Sequence, residues 1–218
     1  MNETWYKYLL ASVDQVKLPF LSDDEIRKLL KSGELVIHPI LEIDQISGTK
    51  IDLRLDNAFH LVQRIAMESY DPSSSVTNKY LVKHSVQYGT PFILHPGELV
   101  LAPTFESIKM PPNILGLLDG RSSLARVGVL VHATAGTVDP NFNGSLIVEL
   151  LNVGRVPVKL FPLMRIGAVH LAMIKGMVET TYDKVGKYQG FENILDPRSK
   201  LHKDRDWNSI LSMESLST

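Results

Sequence analysis

The spacing of apolar and polar positions changes once along the chain, from a helical repeat to the repeat of strands. Ser22 and Glu25 stand three residues apart as a capping box, the hydroxyl able to accept an N–H while the carboxylate reaches back. Ile26, Leu29 and Leu30 then share one helical face, and Gly33 is placed to end the helix. Beyond it Ile51, Leu53 and Leu55 alternate with Asp52, Arg54 and Asp56, which predicts a half-buried strand. Phe92 to Leu94 and Leu99 to Leu101 flank His95-Pro96-Gly97-Glu98, a turn by its Pro-Gly pair. Val127 to Val131, Leu146 to Leu151, Val156 to Leu160 and Ile166 to Met173 continue the series, with Gly and Pro between them. Many short strands at this spacing predict an all-β sandwich or barrel with a few short helices. Asp71 to Asn78 is polar enough to be an exposed loop. From Thr180 the apolar rhythm fades, which predicts a tail that is mobile or folds over a ligand or neighbouring subunit.

The 218 residues, 44% hydrophobic and 22% charged, suffice for one domain with decorated ends. A net charge of −1 provides no global field to gather nucleic acid, so any anion must be held by local charge. The absence of cysteine excludes disulfides, a thiol nucleophile and every cysteine-containing zinc site. No basic leader followed by an apolar run opens the chain, and no window nears the roughly 20 apolar residues of a membrane span. A soluble cytoplasmic protein is the expectation. The seven histidines are scattered without ligand spacing and read as satisfied polar residues rather than a metal site.

Three segments could carry chemistry. Gly120-Arg121-Ser122-Ser123-Leu124-Ala125-Arg126 gathers two guanidiniums and two hydroxyls beside a glycine, either an anion cradle or a polar turn with surface arginines. Thr134 to Gly144 holds Asp139 and Phe142. The carboxylate could hold a sugar hydroxyl or orient water, and the ring could pack on a ribose or base; equally, the loop is a hairpin with a core Phe. Glu149 lies in the apolar run Leu146 to Leu151, where a carboxylate needs a donor or a paired cation. It reads as a proton shuttle, a structural ion pair, or a solvated residue of an edge strand, the last opposed by apolar Ile147 and Leu151 on its side.

In order along the chain, these segments resemble the dCTP deaminase branch of the dUTPase-like superfamily, from about Leu21 to Met173. The resemblance rests on Ser22 to Gly33, Ile51-Asp52-Leu53-Arg54-Leu55, Leu94-His95-Pro96-Gly97-Glu98, Gly120 to Gly128, Thr134 to Gly144 and Ile147-Val148-Glu149. It implies a distorted β-barrel of jelly-roll type in a homotrimer with shared active sites. The expected division is an N-terminal extension at 1–20, a catalytic domain at 21–178 and a C-terminal lid at 179–218.

The implied reaction is zinc-independent deamination of dCTP to dUTP and ammonia, with Mg²⁺ carried by the triphosphate. Glu149 would shuttle the proton, and Ser122, Arg126 and the Ala135 backbone would place the water and intermediate. Arg121 and Ser123 would hold phosphates, Asp139 the deoxyribose hydroxyl region, and Thr134, Gly136, Val138 and Phe142 would line the substrate site. Tyr182, Lys187 and Gln189 would be contacts from the lid, and dTTP a candidate inhibitor.

The chain departs from this pattern at Gly136-Thr137, where deaminases that stop at dUTP typically carry His and a basic residue. Gly136 is similar to the bifunctional members that release dUMP and diphosphate, while Thr137 stands where those usually have an aromatic. Lys187-Tyr188-Gln189-Gly190 matches the start of the lid motif, but Phe191 replaces its second Gln. A dUTPase, or a nucleotide-binding regulator without catalysis, is the alternative on the same scaffold.

Overall fold

The computed structural model describes residues 20–62 and 81–186. The 1–19 part of the extension, the predicted loop at 71–78, and the tail from 187 onward, Lys187 and Gln189 included, lie outside the described residues.

Helix α1 spans Asp23–Ser32. Both arms of the predicted capping box form: the Glu25 N–H donates to the Ser22 hydroxyl at 3.4 Å, and the Ser22 N–H donates to the Glu25 carboxylate at 2.8 Å. Gly33 closes the helix at φ 79, where glycine carries no Cβ penalty. Ile26 is fully buried, and Leu29 and Leu30 pack on the edge of the core.

Strands build the rest. One sheet runs β10 (Thr137–Val138), β8 (Ile114–Gly120), β13 (Arg165–Met173), β3 (Lys50–Arg54), β2 (Ile46–Ser47). The second runs β5 (Leu81–Ser85), β4 (Ala58–Val62), β7 (Leu99–Lys109), β11 (Asn143–Asn152), β9 (Val129–Leu130), with β1 (Val36–His38) also paired to β7. A separate pair joins β12 (Val158–Leu160) to β6 (Phe92–Leu94). The chain crosses between the large sheets from β1 to β2, from β3 to β4, from β7 to β8, at each step from β8 through β11, and by way of β12 from β11 to β13. Both sheets contribute to one hydrophobic core, in which Leu53, Ile114 and Ile166 meet Ile108, Val148 and Leu150. This is the expected all-β class, a jelly-roll type of winding in two packed sheets.

Two local expectations change. Gly120 to Arg126 is not a plain turn: it contains a one-turn helix α2, Ser122–Ala125. The strand expected to be half-buried is buried on both sides, with Asp52 and Arg54 only 3% and 4% exposed. The polar face is covered from outside by the chain before β2, including Glu42 and the buried Gln45, and by Arg165 of β13.

Burying these charges obliges them to pair. Glu106 of β7 is fully buried and accepts the Arg54 backbone N–H at 2.7 Å and the Gln45 amide at 2.8 Å, with the Arg54 guanidinium 3.8 Å away. Burial pushes its carboxyl above the usual range, and the Arg54 N–H acts against that shift. Arg54 reaches outward to Glu42 at 2.8 Å. The cluster therefore ties the two sheets together through charge. Glu106→Ala would leave the Arg54 N–H buried without an acceptor, take one of the two acceptors of the Gln45 amide, and remove the buried counter-charge of the Arg54 guanidinium. It should lower unfolding free energy by about 3–5 kcal/mol, measured by urea denaturation.

Candidate functional site

Glu149 sits on β11, which lies between β7 and β9 and so is not an edge strand. Its cross-strand partner is Leu101, while Ile147 faces Pro103 and Leu151 faces Leu99 and Leu130. Directly opposed residues share a face, so the carboxylate stands on an apolar patch and is half-buried there. Near the start of the strand β7 advances four residues while β11 advances two. The buried Thr104 hydroxyl fills that irregularity, accepting the Leu146 N–H at 3.0 Å and donating to the Glu106 carbonyl at 2.7 Å.

The segment after β9 supplies the donor that the apolar setting requires. The Glu149 N–H donates to the Val131 carbonyl at 3.0 Å, and the Ala133 N–H donates to the Glu149 Oε2 at 2.9 Å. Oε1 keeps no hydrogen bond among the described residues. A backbone N–H does not titrate, so it fixes the carboxylate without neutralising it. At the far end of the strand, buried Asn152 donates to the Leu94 and Val156 carbonyls, both at 2.9 Å, and holds the neighbouring turns.

Strand β8 delivers the chain to α2, and β9 returns it to pair with β11 at Leu151 and Asn152. Ser122 and Ser123 are exposed on that helix and Arg126 just past its end, and Leu124 anchors it in the core. Arg121 precedes the helix and contacts Asp52 at 3.4 Å. Asp52 in turn receives Arg165 at 3.0 Å and Lys50 at 3.3 Å. Asp52 is the residue that sequence reasoning missed, because alternation placed it on a solvated face. Its signal was a carboxylate and an arginine two apart in an apolar run.

After β9 the chain passes Thr134 and Ala135, both exposed, and reaches Gly136 beside His132. A Cβ at Gly136 would lie 3.2 Å from the His132 Cε1, so any larger residue there must displace the ring. The Gly136 carbonyl accepts the Leu118 N–H at 2.7 Å, which starts the β10–β8 pairing of Thr137 and Val138. Val138 is buried against Gly116, where an added Cβ would come within 2.9 Å of the valine Cβ. Asp139-Pro140-Asn141-Phe142 then makes a turn closed by the Phe142 N–H on the Asp139 carbonyl at 3.1 Å. Pro at the second position and φ 63 at Asn141 mark a type II turn. Phe142 is buried and meets the ring of Tyr182 edge-on at 5.5 Å.

The structure thus joins Glu149 to the Val131–Ala133 segment, Gly136 to His132, Arg121 to Asp52, and Phe142 to Tyr182. It leaves Ser122, Ser123 and Arg126 exposed on α2 and at its end, without a hydrogen bond or ion pair to Glu149 among the described residues. The expectation that all histidines are satisfied is corrected for two: Nδ1 of His60 and of His132 is buried without a hydrogen-bond partner among the described residues. Burial lowers the His60 pKa below the ordinary histidine value. Among the described residues no cluster of His, Cys, Asp or Glu could hold a metal ion, and no helix is long and apolar enough to cross a membrane.

A family model described as dCTP deaminase-like matches residues 20–174. The chain is 44% identical over 166 residues to a "dCTP deaminase, dUMP-forming" of Dictyoglomus thermophilum, covering 75% of this chain and 85% of that one. It is 43% identical over 171 residues to a "dCTP deaminase" of a Marinomonas species, covering 75% and 88%. Among solved structures, a 2'-deoxycytidine 5'-triphosphate deaminase from Agrobacterium tumefaciens superposes with TM-score 0.57 at 21% identity, covering 72% of this chain and 48% of that chain. At that identity the likeness concerns the fold.

The charge cluster behind Arg121 makes its own prediction. Hydrogen bonding to Arg165 holds the exposed Asp44 carboxyl below its ordinary value of 3.8. The folded pKa is the lower one, so this pairing contributes fully above the ordinary value and is lost as pH falls through the folded value. The stability difference between the chain and Asp44→Asn, followed by urea denaturation at several pH values, should persist at neutral pH and vanish in acid.

Proposed function

The chain belongs to the dCTP deaminase-like family, and on that premise we propose that it hydrolyses the exocyclic C–N bond of dCTP, releasing ammonia. One observation carries the reading: Glu149 stands on an interior strand among apolar neighbours, with Oε2 fixed by the Ala133 N–H and Oε1 left for another partner. Displacing the amine needs a proton taken from water as its oxygen bonds to C4 of the pyrimidine. A proton must then reach the amino nitrogen so that ammonia leaves as the C–N bond breaks. A single positioned carboxylate serves both transfers. Ser122, Arg126 and the Ala135 backbone place the water and stabilise the intermediate, and Thr134, Gly136, Val138 and Phe142 shape the base and sugar pocket.

Arg121 and Ser123 take the phosphates. Arg121 is 34% exposed on its side chain and spends one guanidinium nitrogen on Asp52, so further donors of the fork remain for phosphate oxygens. Tyr182, Lys187 and Gln189 add contacts from the C-terminal segment. dCTP enters with Mg²⁺ on its triphosphate oxygens, the ion reducing the charge the arginines must meet, and dTTP is a candidate inhibitor at the same site. No zinc cage containing cysteine is possible in a chain without cysteine.

The exposed helix α2 and the apolar face around Glu149 support a homotrimer with shared sites. Leu99 and Leu130 on that face are 39% and 40% exposed, next to half-buried Leu101, Ile147 and Leu151. A contiguous apolar patch around a catalytic carboxylate is surface that a second copy would cover. A triphosphate substrate, too highly charged to cross a membrane unaided, supports a cytoplasmic location.

A second reading concerns the product. The space beside His132 is kept free by Gly136, and the relatives above include one named as dUMP-forming. Water could then also attack the triphosphate, with Asp139 orienting it, giving dUMP and diphosphate. Incubation with dCTP and Mg²⁺ followed by nucleotide chromatography separates the two: dUTP with ammonia marks the single reaction, dUMP without accumulated dUTP the coupled one. Hydrolysis of dUTP alone would remove the role given to Glu149.

Glu149→Gln should retain dCTP binding by calorimetry while deamination falls by about 10²–10⁴-fold or more, the range for loss of a general acid–base. Undiminished deamination by that variant would overturn the mechanism.

A further inference from the structure

The turn that carries Asp139 is fastened to a segment 42 residues further along the chain. Residues Tyr182–Val185 form a one-turn helix, α3. Just before it, Thr181 is only 5% exposed although polar, so the segment is seated rather than laid on the surface. Three contacts join it to the turn. The Tyr182 N–H donates to the Pro140 carbonyl at 3.0 Å, the Tyr182 ring meets Phe142 edge-on, and the Asn141 Nδ2 donates to the Asp183 Oδ1 at 3.0 Å.

Asn141 has two duties here. Its backbone takes φ 63, which the type II turn requires and glycine would meet most easily. Its side chain reaches across to a carboxylate, which glycine could not do. Turn geometry alone therefore does not explain the choice of Asn. Hydrogen bonding with Thr181 and Asn141 holds the exposed Asp183 carboxyl below its ordinary value of 3.8, so it remains an ionised acceptor for the amide at neutral pH.

We infer that Asn141 and Asp183 are positioning residues for the nucleotide: their hydrogen bond clasps the Asp139–Phe142 turn to the segment at 181–186. The clasp sets where Asp139 and Phe142 meet the deoxyribose. This rests on the reading that the Asp139 turn belongs to the dCTP site. A loop fixed at both ends presents its carboxylate without first being ordered, so the clasp acts on substrate binding more than on the chemical step.

The test is a variant series on the full chain, with steady-state dCTP kinetics and melting temperature measured on each protein. Asn141→Gly keeps the left-handed backbone and removes only the amide. It should raise KM about fivefold, the effect of losing one such hydrogen bond, and raise KM more than it lowers kcat. Asp183→Ala should do the same, and the double variant should be no worse than either single one. Asp183→Asn keeps an acceptor oxygen and should restore KM to near that of the unaltered chain. KM unchanged in Asn141→Gly, additive effects in the double variant, or a lowered melting temperature with KM unmoved would each overturn the clasp. Should Asp183→Ala fail to fold, Asn141→Gly and Asp183→Asn carry the test between them. Failure of the underlying reading is distinct: the unaltered chain would then turn over no dCTP in the same assay.

Discussion

Charge buried on β3 constrains the rest of the molecule. The strand runs between β13 and β2, and its polar side is covered as completely as its apolar side. Asp52 and Arg54 cannot remain there unpaired, because an isolated buried charge costs several kcal/mol. Arg54 finds Glu106 in the opposite sheet and Glu42 outside; Asp52 finds Arg165, Arg121 and Lys50. These pairs fix which residues of β7 and β13 lie against β3. They also give the segment leading into α2 a defined position at its first residue.

The site follows from that frame. Holding β7 in place holds β11, its partner along much of its length, and so determines that Glu149 emerges among Leu101, Ile147 and Leu151. The return of the chain through β9 brings the Ala133 N–H against the carboxylate. Beyond it, Gly136, Val138 and the Asp139 turn are seated on β8, which pairs with β13 within the same sheet as Asp52. The Glu149 carboxylate, the Arg121 guanidinium and the Asp139 turn thus come from three crossings of one core. Their common support is rigid sheet, which is what a reaction needing sub-ångström placement demands.

Much of this was legible along the chain. The capping box at Ser22 and Glu25 formed as read, since both partners are local and four residues suffice to build it. The apolar runs became strands at nearly the expected places, and Glu149 stood out because a carboxylate inside an apolar run always needs an explanation. Asp52 was misread because period-two alternation reports which residues share a face, not whether the second face is covered. Covering it took Gln45 and Arg165, one near in sequence and one 113 residues away. The tie between Asn141 and Asp183 was illegible for the same reason. Nothing in Asp-Pro-Asn-Phe beyond its turn preference indicates which distant carboxylate will meet the amide.

The sequence by itself determined the strand-rich class, the helix and its caps, the exclusion of thiol and cysteine-zinc chemistry, and the ordered segments through which family membership was expected. Each is a property of residue type or near-neighbour spacing, which short-range sterics and hydrogen bonding enforce. Only the tertiary structure decided that Glu149 is held by the Ala133 N–H, that Arg121 is oriented by Asp52, and that Gly136 keeps room beside His132. Those are meetings of groups from different strands. Their distances are set by how two sheets pack around one core, a quantity that no local pattern contains.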